Sequence, residues 1–188
     1  MMRFRLLCVM VVGAAAMFGA GGRAIDAQSP TPITISSPTA EGCEQVPAYL
    51  EARQKVFEEL LIDMESVFPA VATPILEHGD ELVVAMFGMT PEQFIALAKA
   101  YDDAADKIEK IDAPPVADVY NDLQVQLYRL SADVFEEAAS TGLNAAGDTF
   151  NDQLVAVGEA VGAAGQAATS VCPAFAEVIE LDQTQAAL

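Results

Sequence analysis

The sequence predicts an all-α fold, an antiparallel bundle of four to five helices, and three observations lead there. Apolar residues recur three and four apart in long stretches after Cys43, the spacing that gathers one stripe on a helix of 3.6 residues per turn. Prolines and glycines punctuate those stretches, most sharply at Ala113-Pro114-Pro115. The chain is 53% apolar with no Trp, and much of that fraction is Ala, which suits closely packed helices.

The N-terminus reads as a secretory signal peptide, residues 1–27. Arg3 and Arg5 precede an unbroken apolar and small run from Leu6 to Ala20, and Gly21, Gly22, Ala24 and Ala27 offer cleavage after Ala24 or Ala27. The run is short for a membrane span, which needs roughly 20 residues. An uncleaved anchor is the alternative. Residues 28–42 change to Ser, Thr and Pro with hardly a charge, a composition that cannot offset the entropy of ordering, so this segment is expected to be a disordered linker.

The folded domain is expected to cover 43–182, with a frayed tail at 183–188 and fraying that starts from Asp182. Val46, Leu50, Phe57, Leu60, Leu61, Met64 and Phe68 trace the stripe of a first helix ending near Pro69. From Val67 to Gly88 the pattern is broken by Pro69, Pro74 and Gly79 and then becomes the continuous apolar run Leu82 to Phe87, expected to be a kinked, largely buried segment. Thr90 caps the next helix, with Pro91 at its first position and Glu92 near the positive end of the dipole. Its stripe is Phe94, Leu97, Ala98, Tyr101, Ala104, Ala105, Ile108 and Ile111; its outer face carries acid-before-base pairs four apart, Asp103 with Lys107 and Asp106 with Lys110.

Pro114 pushes Ala113 out of helical geometry and Pro115 can open the following helix. That helix repeats the stripe at Val116, Val119, Tyr120, Leu123, Leu127, Leu130, Val134 and Ala138, with Gly142 to end it. Leu143 to Gly147 reads as a loop, Asp148 or Thr149 as the cap of a last long helix, and Pro173 as the kink into a short terminal one. In the long helix Gly158, Gly162 and Gly165 fall nearly in line. Each costs about 1 kcal/mol of helix propensity relative to Ala, which is expected where another backbone comes close; a ligand cleft against that smooth face is the other reading.

Cys43 and Cys172 stand at the two ends of the folded domain, and a pair so placed in an exported chain is expected to form a disulfide. Closing a loop of about 130 residues stabilises a fold by several kcal/mol on the chain-entropy model. No Cys-x-x-Cys motif accompanies it, so the bond is structural.

The same residues exclude several chemistries. A di-iron bundle wants two Glu-x-x-His motifs, and the single histidine is His78. Covalent haem wants Cys-x-x-Cys-His, and the acids Asp102, Asp103, Asp106 and Glu109 lie on a helix face without the glycine turn of an EF-hand. The candidate metal ligands are His78, Met86 and Met89, of imidazole and thioether chemistry suited to copper, set against the reading that Glu77 to Glu81 is a solvated turn and the methionines are core filler. The formal charge is −19; without residues 1–27, three positive charges and one negative go and −19 becomes −21. A surface this acidic repels nucleic acid and anionic lipid.

The stripe that ends in Lys107-Ile108-Glu109-Lys110-Ile111-Asp112-Ala113-Pro114-Pro115, followed by a second amphipathic helix, resembles small uncharacterised exported bacterial helical-bundle proteins. The resemblance covers the central hairpin; it implies export and a bundle and brings no activity with it. The functional expectation is a non-enzymatic secreted or cell-envelope interaction module with a protein partner, no catalytic residues and no cofactor; the alternative is an exported bundle that binds a small ligand or a metal. Membrane contact is expected only through the signal segment, if uncleaved.

Overall fold

The computed structural model describes residue 33, residues 37–67 and residues 88–185, with side chains described through Asp182. Among the described residues there are five α-helices and no strand: α1 (Val46–Val67), α2 (Pro91–Glu109), α3 (Asp118–Thr141), α4 (Leu143–Val171) and α5 (Ala176–Gln185). Single 3₁₀ turns at Cys43–Gln45 and Pro173–Phe175 lead into α1 and α5. The expected all-α bundle is what the chain forms.

Local signals explain the start of α2. The Thr90 side chain accepts from the Gln93 backbone N–H while the Gln93 side chain accepts from the Thr90 N–H, so two otherwise unpaired donors are satisfied reciprocally, and Pro91 needs no donor there. α2 and α3 then pair antiparallel in a sevenfold register. Phe94 stacks near Phe135, Tyr101 tilts against Tyr128, and the Asn121 amide donates to the Ile108 carbonyl: each step of seven forward in α2 is seven back in α3. That is the repeat which keeps one seam of two helices in contact. α1 lies antiparallel to α2, as Gln93 donating to the Val67 carbonyl and Lys107 paired with Glu59 show.

Several boundaries differ from the sequence reading. Pro115 does not open α3; residues 115–117 form a turn and the helix begins at Asp118. The Val116 N–H is drawn away to the Glu41 carbonyl at 3.2 Å, a partner distant in sequence that no helical pattern encodes. Chain contacts thus start ahead of Cys43: Gly42 is buried, at φ 83°, and an added Cβ there would stand 2.8 Å from both Pro114 and Pro115. At the other end of α3, Gly142 (φ 87°) reverses the chain at once, and α4 begins at Leu143. Thr149 is accordingly no cap; its hydroxyl donates to the Ala145 carbonyl one turn back. The terminal helix continues to Gln185, and Asp182 is anchored rather than frayed.

The acid-before-base pairs expected along α2 are replaced by contacts to neighbouring elements. Lys107 reaches Glu59 of α1 at 2.7 Å, and Arg129 of α3 reaches Glu109 at 2.7 Å and Asp106 at 3.4 Å. Each is solvent-exposed and worth at most about 1 kcal/mol.

The core has two main parts. One gathers Tyr49, Val116, Tyr120, Leu123, Ala164, Phe175 and Val178 where the two ends of the chain meet. The other gathers Phe94, Leu130, Val134, Ala138, Ala146 and Leu154 beside the α3–α4 turn. α4 is, among the described residues, the one helix that is long and apolar enough by length and composition to cross a membrane; in the bundle its Leu154, Ala160, Ala164 and Ala168 are buried in these cores.

Candidate functional site

Two places on the described chain gather chemistry or open space, and they lie in the two different cores. The first is a buried polar cluster between α1, α3 and α5. Arg53 is fully enclosed on α1, and its Nη2 donates to Asp182 Oδ1 at 2.7 Å, the two side chains being 2% and 12% exposed. Asp182 Oδ2 accepts from the Tyr120 hydroxyl and from Gln124 Nε2 at 3.1 Å. Gln124 Nε2 also donates to the Tyr120 hydroxyl at 2.9 Å, and the Tyr49 hydroxyl donates to Asn121 Oδ1 at 2.9 Å while accepting a longer bond from Arg53 Nη1. The guanidinium carbon lies 5.7 Å from the ring centres of both Tyr49 and Tyr120, within cation–π range.

The electrostatics follow from burial. Burial alone would push Arg53 toward its neutral form, but the Asp182 carboxylate and then the surrounding phenols outweigh it and hold the guanidinium charged. Burial pushes the Tyr49 phenol up to about 12, despite the lowering effect of Arg53. Tyr120 is raised well above its ordinary value, first by burial and then by the Asp182 charge that its own hydroxyl contacts.

The second place is a cleft of about 400 Å³ at the end of the bundle beside the α3–α4 turn. Met89, Pro91, Phe94 and Leu143 give it an apolar lining, and Thr141 and Asn144 give it polar groups. Its volume is in the range of small-molecule pockets, about 300–1,000 Å³.

Cys43 and Cys172 come together as a disulfide pair, with Cα atoms 5.8 Å apart, a separation that a disulfide spans. Comparison with protein families, with curated proteins and with solved structures finds no match to this chain. Of the candidate metal ligands, His78 and Met86 lie outside the described residues, and Met89 lines the apolar cleft. Among the described residues no three His, Cys, Asp or Glu side chains are grouped to hold a metal ion. The aligned glycines divide. A Cβ on Gly165 would stand 2.6 Å from Ile179 Cδ1 and 3.2 Å from the Tyr120 ring, so the close neighbours there are side chains of α5 and α3 and not a backbone; one on Gly162 would meet no described atom within 4 Å.

Sequence reasoning missed Arg53, Asn121, Gln124 and Asp182. A signal existed for Arg53. The stripe of α1 steps from Leu50 to Phe57 with a gap, and Arg53 is the residue that fills it on the same face.

Proposed function

We propose that the chain is a non-enzymatic interaction module of a secreted or cell-envelope protein, which binds a protein partner at the cleft beside the α3–α4 turn. The observation that carries this reading is the lining of that cleft: Met89, Pro91, Phe94 and Leu143 offer an apolar surface for one large apolar side chain, with Thr141 and Asn144 as polar groups beside it. The strongly acidic chain around it favours a partner segment in which that side chain is flanked by Lys or Arg. The buried polar cluster lies in the other core, away from the cleft.

Selection of a random peptide library on the full chain tests the reading; Ala139 also lines the cleft, and Ala139→Phe serves as a cleft-filled control. Selected peptides sharing an apolar residue between basic ones, and losing at least tenfold in affinity on Ala139→Phe, support it; selection that ignores the substitution rejects it. The volume of the cleft also supports a second reading, an exported small-ligand binder. Native mass spectrometry of exported protein separates the two, because a retained small molecule adds a mass that disappears on denaturation.

A further inference from the structure

We propose that Arg53, Tyr120 and Gln124 form a carboxylate-binding site that the chain fills in cis with Asp182, so that α5 acts as a removable plug. The site goes beyond the cleft reading and is independent of it.

The donors stand on helices other than the one that carries the carboxylate. Arg53 stands on α1, Tyr120 and Gln124 on α3, and the two helices are tied to each other by the Tyr49–Asn121 bond, while Gln124 and Tyr120 are bonded one turn apart. Three donors on two helices converge on the two oxygens of the Asp182 carboxylate. The carboxylate itself comes from the shortest helix of the bundle, ten residues long, and a helix of that length is marginal by itself in water. Its apolar anchors are Val178 and Ile179, with Phe175 in the turn before it. Donors on two long helices are therefore filled by a ligand on the element with the least support of its own.

Asp182 is moreover an incomplete ligand. The Nε and Nη2 protons of a guanidinium lie on one edge and match the two oxygens of a carboxylate, the arrangement that makes arginine–carboxylate pairs strong. Asp182 takes Nη2 and turns its second oxygen to Tyr120 and Gln124. Arg53 Nε, on the same edge, is buried with no hydrogen-bond partner among the described residues. A carboxylate free of the helix can satisfy both donors, and that unmet donor is what favours exchange. The class of ligand is accordingly a monocarboxylate, either a small acid or an acidic side chain of another polypeptide.

The test is chemical rescue on the full chain. Asp182→Ala empties the site while leaving the rest of α5 in place. Titrating sodium acetate against sodium chloride at equal ionic strength should restore most of the melting temperature that Asp182→Ala loses, with saturation, and should leave Arg53→Met/Asp182→Ala unmoved. If Asp182→Ala is unfolded in chloride, recovery of helical circular dichroism in acetate is the same result. Equal behaviour in acetate and chloride overturns the proposal, as does failure of acetate to fold Asp182→Ala while Asp182→Asn folds. A short capped peptide with one central Asp, titrated in place of acetate, distinguishes the sources: rescue at a lower concentration than acetate assigns the site to polypeptide carboxylates, and rescue by acetate alone assigns it to small acids.

Discussion

Replacing Gly162 and Gly165 by alanine, one at a time, makes the sharpest use of the packing between α4 and α5. Both glycines lie inside α4, so both substitutions gain about 1 kcal/mol of helix propensity and restrict the unfolded chain to the same degree. At Gly162 the new methyl meets no described atom within 4 Å, and Gly162→Ala should stabilise by about that amount. At Gly165 the methyl would stand 2.6 Å from Ile179 Cδ1 and 3.2 Å from Tyr120 Cε2. Ile179 Cδ1 is the far end of a side chain and can turn away. The Tyr120 ring cannot, because its hydroxyl is bonded to Asp182 and Gln124 and its edge meets Phe175 with ring centres 5.2 Å apart. Overpacking of this kind costs about 1–3 kcal/mol, so Gly165→Ala should be neutral to about 2 kcal/mol destabilising. Because propensity and unfolded-state effects cancel in the comparison, the gap between the two variants isolates the packing cost, measured from urea midpoints at constant slope. Ile179→Val removes the offending Cδ1, and its own cost, about 0.5–1.5 kcal/mol, should shrink in the Gly165→Ala background. Equal stabilisation by both alanines, within about 0.5 kcal/mol, would refute the close approach of α5 to α4 at Gly165.

Four further outcomes follow from the same structure. The phenols of Tyr49 and Tyr101 are raised to about 12, and those of Tyr120 and Tyr128 are raised above their ordinary value, burial being the first cause in each; folding therefore favours neutral phenols, and the stability they contribute is full below the ordinary value of 10 and is lost as pH rises through about 12. Phenolate absorbance from Tyr49 and Tyr120, which are 2% and 3% exposed, should appear only with the loss of helical circular dichroism, and either one titrating near pH 10 in the folded protein would contradict its burial. Exported protein cleaved of residues 1–27, and with them Cys8, should show no free thiol after denaturation, and reduction of Cys43–Cys172 should lower stability by about 2–4 kcal/mol in urea titration. Gly42→Ala should cost about 2–5 kcal/mol by thermal melting, from a left-handed backbone and two proline contacts that cannot yield. Arg53→Met should cost about 3–5 kcal/mol by stranding the Asp182 carboxylate, and adding Asp182→Leu should return most of it; a double variant no better than the single one would show that the charge is not what the site must satisfy.

The parts of this fold legible in the sequence are those encoded by neighbours in the chain. Thr90, Pro91 and Gln93 write the start of α2 within four residues, and the stripes of α2 and α3 repeat often enough for their pairing to be expected. Boundaries were less legible: residues 115–117 form a turn whose Val116 amide is held by the distant Glu41 carbonyl, and Thr149 is not a cap because α4 already starts at Leu143, six residues earlier. The polar cluster divides in the same way. Arg53 shows as a charge in the gap of an apolar stripe, but Asp182 looks like one acid among many near the chain end, since its partner lies 129 positions away.

That separation bears on how α5 is held. Cys43 pairs with Cys172 and Arg53 with Asp182, and both pairs are 129 residues apart. The α5 segment therefore runs parallel to α1, attached at two points ten residues apart, about 15 Å along a helix. The two attachments do different work. A disulfide at the start brings α5 to the bundle but leaves it free to rotate or slip, and the apolar side chains of Val178 and Ile179 discriminate weakly between neighbouring registers because small residues dominate the facing surface of α4. Arg53 does discriminate. Any slip of α5 leaves a buried guanidinium without a carboxylate, a penalty several times that of a misplaced methyl group. The ion pair thus sets the register that the disulfide cannot, and a buried charge that looks costly in isolation becomes the feature that gives the C-terminal helix a single position.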